Sequence, residues 1–228
     1  MSNSGSVKSA ASEQAYNQIR QDIISGVLVE HERLTEQALA KRIGLSRTPV
    51  REAIKRLIHE GFIENESGYS TRVASFSVDE AEQIFQLRTM LEGYAIRRAA
   101  TMATDKQILT LRTLATRMSE LTPPSSADGY SEISRANEQF HRTIAEAANS
   151  TRLIALISVA VDVGLVARTY RLYSEPALLR SCQHHHEMVD AIEAHSPDWA
   201  ESVMTSHLLA AQATTASAQS TMVATVLK

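Results

Sequence analysis

The chain has 228 residues, a formal net charge of −3 and a hydrophobic content of 43%, which suit two globular domains of modest size. No apolar run approaches the roughly 20 residues that a membrane-spanning helix needs, and the polar N-terminus does not resemble a secretion signal. A single cysteine, Cys182, excludes an intramolecular disulfide and is compatible with a reducing cytoplasm, where we expect the protein to be. We expect residues 1–11 to form a disordered tail.

Two short helices separated by a glycine are predicted next. Residues 34–44 (LTEQALAKRIG) show helical spacing and stop at Gly44, and residues 45–57 (LSRTPVREAIKRL) form a second helix. Ser46 is placed to cap this helix by accepting a hydrogen bond from the backbone amide three residues on, and Pro49 fits its first turn. The inward-facing residues of the second helix are Val50, Ile54 and Leu57. A helix, a glycine turn and a helix form a helix-turn-helix.

The outer face of the second helix is basic. Arg47, Arg51 and Lys55 lie four residues apart, so they share one face and can reach a DNA duplex together. From Lys41 to Arg56 there are six basic side chains and one acidic side chain, on a chain whose overall charge is negative. This local charge indicates a nucleic-acid-binding surface. The alternative is an amphipathic helix whose basic face is merely solvated.

A small β-hairpin is predicted after the second helix. Residues 61–64 and 70–73 have the composition of strands, and residues 66–69, which include Gly68, have the composition of a turn. A hairpin in this position forms the wing of a winged helix-turn-helix. The sequence therefore predicts a winged helix-turn-helix DNA-binding domain over residues 12–76.

Residues 14–74 resemble the winged helix-turn-helix domain of GntR-type bacterial transcription regulators, and the most specific match is the run SRTPVREA at 46–53. The resemblance implies that Arg47 and Arg51 contact guanine edges, that the following Thr48 contacts phosphate, and that the wing tip lies near the minor groove. The candidate DNA-binding residues are Ser46, Arg47, Thr48, Arg51, Arg33, Arg42, Lys55 and Gly68. Gln37 stands where some members carry a DNA-contacting arginine, so that contact is missing or altered here.

The second part of the chain is acidic and helical. Residues 79–228 carry thirteen basic and seventeen acidic side chains, so we do not expect this part to bind nucleic acid. Ser77 followed by Glu80 predicts the start of its first helix. The breaks that divide this part into about six helices fall near residues 103–105, 121–129, 149–150, 174–176 and 196–198. The predicted fold class is mainly α, with an all-helical effector-binding and dimerisation domain over residues 77–222.

Polar side chains on the inward faces of these helices form a candidate metal site. Asn137 and His141 lie four residues apart on one helix, His185 shares its face with apolar residues on a later helix, and His207 follows on the last helix. Each histidine taken singly is more often a hydrogen-bonded core residue than a ligand. Together, three imidazoles and an amide oxygen could hold a divalent metal ion and leave positions open to a ligand.

Residues 80–212 resemble the all-helical ligand-binding domain, called FCD, of the FadR subgroup of GntR regulators. The resemblance is carried by the runs LRTMLE at 87–92 and NEQFH at 137–141 and by the surroundings of the later histidines. The metal ligands it implies are Asn137, His141, His185 and His207. Zinc is the expected metal, with nickel or manganese as alternatives, and Asn in place of the commoner Asp weakens the hold on a hard cation.

The same resemblance implies that a carboxylate effector completes the coordination of the metal, with Arg88 as a second partner of that carboxylate. A surface or interdomain salt bridge is the alternative role for Arg88. We therefore predict a homodimeric transcription regulator, with repression the commoner logic, that binds a palindromic operator in double-stranded DNA and senses a small organic acid.

Two other interpretations of the histidines remain open. In the first, the regulator has a metal-free effector pocket in which the histidines satisfy one another and the effector. In the second, the protein is a metal-dependent hydrolase, which would need a general base beside the metal. Asn137 takes the position in the motif that could have held this base, although Glu138 and Glu187 are near in sequence. We therefore do not expect an enzyme.

Overall fold

The computed structural model describes residues 3–65, 70–161 and 163–226, and over these residues it contains ten helices and three strands. The chain divides into two compact units, residues 1–75 with 163–168, and residues 76–162 with 169–228. Among the described residues no single helix is long and apolar enough to cross a membrane, and Thr151–Ala160 with Gly164–Leu172 meet the length and composition criterion only as a pair bent by 63°.

The first unit is a helix-turn-helix with a small sheet. Its elements are α1 (Asn3–Ile24), β1 (Arg33–Leu34), α2 (Glu36–Ile43), α3 (Arg47–His59), β2 (Ile63–Asn65) and β3 (Thr71–Val73). Helix α1 begins inside the segment 1–11 for which the sequence predicts a disordered tail. Residues 3–24 contain no proline and several alanines, so no residue breaks the helix outright, although Gly5 lowers its helix propensity.

Helices α2 and α3 form as the sequence predicts, with one correction at the cap. The side chain of Thr35 caps α2 by accepting a hydrogen bond from the amide of Ala38, and Gly44 ends the helix with φ 75°. Ser46 occupies the cap position of α3, but its side chain makes no capping hydrogen bond. The expected bond was wrong because the residue three positions on is Pro49, which has no N–H to donate.

Helix α3 is held against α1 by both apolar and polar contacts. The buried residues of α3 are Val50, Ala53, Ile54 and Leu57. On α1, the hydroxyl of Tyr16 donates to Glu60 at 2.7 Å, and the guanidinium of Arg56 lies 3.5 Å from the centre of the Tyr16 ring. These contacts fix the inward face of α3, so its remaining face is presented to solvent.

The sheet has three antiparallel strands in the order β1-β3-β2. The sequence predicts only the two strands of the hairpin, and β1 is the addition. In the register of β1 and β3, Arg33 lies opposite Arg72. The predicted wing turn, with Ser67 and Gly68, lies outside the described residues.

Helices alone make up the described part of the chain after residue 75. They are α4 (Val78–Met102), α5 (Asp105–Glu120), α6 (Ala127–Ala147), α7 (Thr151–Ala160), α8 (Val163–Leu172), α9 (Glu175–Glu193) and α10 (Pro197–Val226). The mainly helical fold class is confirmed. There are seven helices rather than about six, because the backbone becomes extended at Val161 and separates α7 from α8.

The predicted start of α4 is confirmed by its cap. Ser77 accepts a hydrogen bond from the amide of Glu80, and the carboxylate of Glu80 accepts one from the amide of Ser77, which is the reciprocal arrangement that stabilises helix starts.

The core of the second unit lies between the inner faces of several helices. Its most deeply buried side chains include Ile96, Leu111, Phe140, Met188, Val189, Ile192, Met204 and Leu208. The candidate metal ligands lie on those same helices.

Candidate metal centre and DNA-binding surface

Three histidines from three helices meet inside the second unit. His141 lies on α6, His185 on α9 and His207 on α10, and a potential ligand atom from each lies within 4.8 Å of the other two. His185 is 1% exposed and His207 is 5% exposed, so the predicted inward orientation of His185 is confirmed. Two nitrogens bound to one tetrahedral zinc ion lie about 3.4 Å apart, so the three rings would have to close in by a small movement to bind one ion together.

A buried ion pair supports the first of these imidazoles. On α4, the Nε of Arg88 donates to Glu92 at 2.7 Å, and the other carboxylate oxygen of Glu92 lies 2.5 Å from Nδ1 of His141. Both members of the ion pair are buried. Because the ionised carboxylate accepts the Nδ1 proton of His141, the lone pair of this ring lies on Nε2.

Neighbouring charges keep Glu92 ionised, and burial together with neighbouring charges favours the neutral form of two of the imidazoles, those of His185 and His207. Burial alone would raise the pKa of Glu92, but Arg88 and His141 outweigh it and hold that pKa at about 2. Burial lowers the pKa of His185 well below 6.5, and the neighbouring His141 adds to the shift. Burial and the nearby His185 lower the pKa of His207 in the same way. Neutral imidazoles are the form that binds metal ions.

Asn137 completes the set of candidate ligands. Its Oδ1 lies 3.0 Å from Nε2 of His185, and the residue is buried. The buried nitrogens of the cluster that have no hydrogen-bond partner among the described residues include Nε2 of His141 and Nδ1 of His207. Buried polar atoms normally have a partner. Unsatisfied nitrogens beside an amide oxygen therefore fit a divalent metal ion.

A narrow cleft, with no room for a water molecule in this conformation, lies beside the histidine cluster. His207 contributes to its wall, and the other residues that line it are Tyr173, Ala177, Arg180, Ser181, His184 and Ala210. The cleft therefore combines one cationic side chain with several hydrogen-bonding groups. Phe140 lies on another side of the cluster, with its ring centre 4.8 Å from that of His185 in an edge-on arrangement.

In the first unit, the two arginines singled out by the sequence lie side by side on the exposed start of α3. Arg47 and Arg51 have side chains 64% and 52% exposed, and both donate to Glu36 of α2. Arg51 uses two nitrogens, with Nε at 2.7 Å and Nη2 at 3.0 Å, whereas Arg47 uses Nη2 at 3.1 Å. Hydrogen bonding to Arg51 is the main reason that the pKa of Glu36 falls to about 2.

The other predicted DNA-binding residues are also at the surface. Thr48 and Ser46 are exposed at the start of α3, and Arg33 is exposed on β1. Arg42 lies 3.2 Å from Asp22 and Lys55 lies 3.1 Å from Glu52. Gly68 lies outside the described residues.

Sequence reasoning missed two acids, Glu92 and Glu36. Glu92 follows Arg88 by four residues, which is the spacing of an ordinary surface ion pair on a helix. The pair differs from a surface pair only because it lies on the buried face of α4. Glu36 is the first residue after the cap of α2, where acids are common because they stabilise the helix start. Its distance of eleven and fifteen residues from the two arginines gives no local signal.

Two family models match the chain. The family described as "FCD domain" matches residues 83–210, and the family described as "Bacterial regulatory proteins, gntR family" matches residues 11–73. Together these matches cover the helical part and the helix-turn-helix part.

Curated relatives resemble the chain over most of its length. It is 27% identical over 152 residues to an uncharacterised HTH-type transcriptional regulator, YdhC, of Bacillus subtilis, a match that spans 66% of each protein. It is 29% identical over 175 residues to a probable D-xylose utilization operon transcriptional repressor of Paenarthrobacter nicotinovorans, covering 77% of this chain and 75% of that protein. It is 29% identical over 202 residues to the HTH-type transcriptional repressor NanR of Escherichia coli, covering 79% of this chain and 74% of that protein.

Solved structures share the fold. The chain matches McbR/YncC of Escherichia coli with a TM-score of 0.68 and 20% identity, over 87% of this chain and 93% of that one. It matches a putative GntR transcriptional regulator from a Rhodococcus species with a TM-score of 0.64 and 19% identity, over 90% of this chain and 96% of that one.

Proposed function

The chain belongs to the GntR family of bacterial regulatory proteins and is a DNA-binding transcription regulator with an FCD domain, and we propose that a small carboxylate bound at a metal-centred cavity controls its operator binding. The observation that carries this proposal is the buried cluster of His141, His185 and His207. Relatives named as repressors support repression as the sign of control. The family is one of regulators and not of enzymes.

The start of α3 is the proposed DNA-reading surface. Arg47 and Arg51 are exposed and adjacent, and arginine is the side chain best suited to bind the O6 and N7 atoms of guanine. In this proposal Ser46 and Thr48 contact phosphates beside them. The more distant cations, Arg33, Arg42 and Lys55, add phosphate contacts that position the helix without reading sequence. Gly68 at the wing tip belongs to the same proposal.

The proposed metal ligands are Asn137, His141, His185 and His207, with zinc as the favoured ion. All four are neutral donors, and the nearby Glu92 is already balanced by Arg88. A bound divalent ion would supply an uncompensated positive charge that attracts an anionic oxygen. The role of Glu92 is to hold the ring of His141 in one orientation and one tautomer, which raises the affinity of such sites for metal.

A carboxylate effector fits the charges around this cluster. Burial and the neighbouring histidines lower the pKa of His207, and the guanidinium of Arg88 adds to this shift. We therefore propose that Arg88 acts on the effector as well as on Glu92. Arg180 lines the cleft beside His207 and offers a second cation. The effector class is therefore a small organic acid.

We propose that the regulator works by a population shift in a homodimer. The effector favours one packing of the helical bundle, and this changes the spacing of the two recognition helices. Because the half-sites of a palindromic operator must match the two-fold geometry of the protein, a small change in spacing releases the DNA.

A thermal-shift assay of the full chain against a panel of small organic acids, with added zinc or with chelator, tests this proposal. We expect particular acids to raise the unfolding temperature in zinc and to have no effect in chelator. At a ligand concentration of about 100 times Kd, the stabilisation is about 2.7 kcal/mol. The variant His185→Ala should lose the response.

The matched control is His186→Ala, which removes an adjacent imidazole that lies 3.1 Å from Ser119 and outside the cluster. This variant should keep the response. A shift that survives chelation would instead establish a metal-free pocket, and an absence of any shift in the wild-type protein would contradict sensing at this site.

A further inference from the structure

An acidic residue lies at the centre of the surface that reads DNA. Glu36 accepts hydrogen bonds from both Arg47 and Arg51, although an acid beside a polyanion should weaken binding. We propose that Glu36 is a positioning and specificity-determining residue, which orients Arg51 toward guanine and suppresses binding to phosphate alone. This inference rests on the proposed reading role of the two arginines.

The geometry of the Arg51 contact allows Glu36 and a base to bind at the same time. Glu36 engages the side of the guanidinium, through Nε at 2.7 Å and Nη2 at 3.0 Å. A guanidinium has five N–H groups in a fixed planar fork. The end of the fork, which consists of Nη1 and the second hydrogen of Nη2, is the edge that binds O6 and N7 of guanine. Glu36 therefore fixes the plane of Arg51 without occupying its reading edge.

The position of Glu36 makes this contact rigid on the protein side. Glu36 is the first residue of α2, directly after the Thr35 cap, so the partial positive charge of the helix start favours its carboxylate. Its side chain is 26% exposed, against 64% and 52% for the arginines it holds. With the pKa of Glu36 at about 2, the carboxylate stays ionised at any pH used for DNA binding.

Glu36 also changes the charge that the surface presents to DNA. Arg47, Arg51 and Glu36 together carry one positive charge, whereas the arginines alone would carry two and repel each other. Binding to phosphate is electrostatic and independent of sequence. Because Glu36 lowers the net positive charge of this surface by one, it weakens non-specific binding to phosphate. The edge of Arg51 that reads the base keeps its hydrogen-bonding groups.

The test compares full-length wild-type protein with Glu36→Gln and Glu36→Asp. Each protein selects from a pool of random duplexes, and its affinities for the wild-type-selected duplex and for one unselected duplex are then measured over a range of salt. The control is Glu52→Gln, which removes an acid that pairs with Lys55 on α3. The hydrogen bonds of Arg47 and Arg51 go to Glu36 instead. Unfolding midpoints verify that every variant is folded.

For Glu36→Gln we expect tighter binding to the unselected duplex. The slope of log affinity against log salt concentration should be steeper by about one. The preference for the selected duplex should fall about tenfold or more. Glu36→Asp keeps the charge but is too short to hold both arginines in the same way. It should therefore lose preference while its affinity for unselected DNA stays near that of wild type.

The inference is overturned if Glu36→Gln keeps the wild-type preference, or if Glu52→Gln loses preference to the same extent. A wild-type protein that enriches no sequence from the pool would instead overturn the reading role of the arginines. Failure of the inference and failure of the proposed function therefore give different results.

Discussion

Glu92 compensates two buried groups at once, the guanidinium of Arg88 and the Nδ1 proton of His141. Replacement by glutamine keeps the shape of the side chain but removes its charge. We expect Glu92→Gln to lower metal affinity about 10- to 100-fold, because the carboxylate orients the imidazole that is proposed to bind the metal. We also expect a loss of about 3 to 5 kcal/mol in the free energy of unfolding, because the Arg88 charge is left uncompensated in the interior.

Chelator competition measures the metal affinity, and urea denaturation measures the stability. Glu120→Gln is the matched control, because Glu120 lies 3.7 Å from Arg117 in a pair whose side chains are both more than half exposed. Pairs of this kind contribute about 0 to 1 kcal/mol. Equal effects of the two substitutions would contradict the special role of Glu92.

Individual residues were predictable from the sequence where their environment is local. The inward positions of Asn137 and His185 follow from helical spacing, and the structure bears them out. Glu92 was not predicted to be buried, because burial depends on which face of α4 meets the other helices. The cap at Ser46 was wrong for a local reason, since Pro49 removes the donor.

At the scale of elements, Gly44 ends α2 in a left-handed conformation with φ 75°, and a Cβ added there would meet no atom within 4 Å. The cost of Gly44→Ala is therefore one of backbone conformation alone, about 1 to 2 kcal/mol.

Gly93 lies inside α4, where an added Cβ would meet Glu201 at an ordinary 3.7 Å. We expect Gly93→Ala to stabilise the protein by about 0.5 to 1 kcal/mol.

Urea denaturation of the two variants should therefore give changes of opposite sign relative to wild type. Destabilisation by Gly93→Ala would show that the space beside Glu201 is tighter than its distance indicates. A neutral Gly44→Ala would show that the turn before α3 can adopt another conformation.

Helix boundaries were largely predictable because caps and breaks are local. The start at Ser77 and the stop at Gly44 both appear in the structure as expected. Strand β1 was not predicted, because two residues have no periodicity and their partner Thr71–Val73 is distant in sequence. The break at Val161 was missed because no glycine or proline marks that position.

At the scale of the whole molecule, a net charge of −3 opposes the approach of DNA, so attraction depends on the local charge of α3 and its neighbours. One such surface should bind weakly, and two that bind together gain affinity through effective concentration. We expect sedimentation to give twice the chain mass of 25.1 kDa. We also expect a palindromic duplex to bind at least about tenfold more tightly than a single half-site.

Insertion of about five base pairs between the half-sites should abolish this advantage, because it places them on opposite faces of the duplex. A protein that sediments as a monomer and binds the half-site as tightly as the palindrome would contradict the proposed homodimer.

The sheet of the first unit carries an internal repulsion. Arg33 lies opposite Arg72 on the adjacent strand, and like charges in that position destabilise a strand pair. Glu64 offsets part of this cost through its 2.8 Å contact with Arg72. An anion bound between the two arginines would replace the repulsion with two attractions. If Arg33 contacts a DNA phosphate as proposed, we therefore expect the strand pair to be more stable in the complex with DNA than in the free protein.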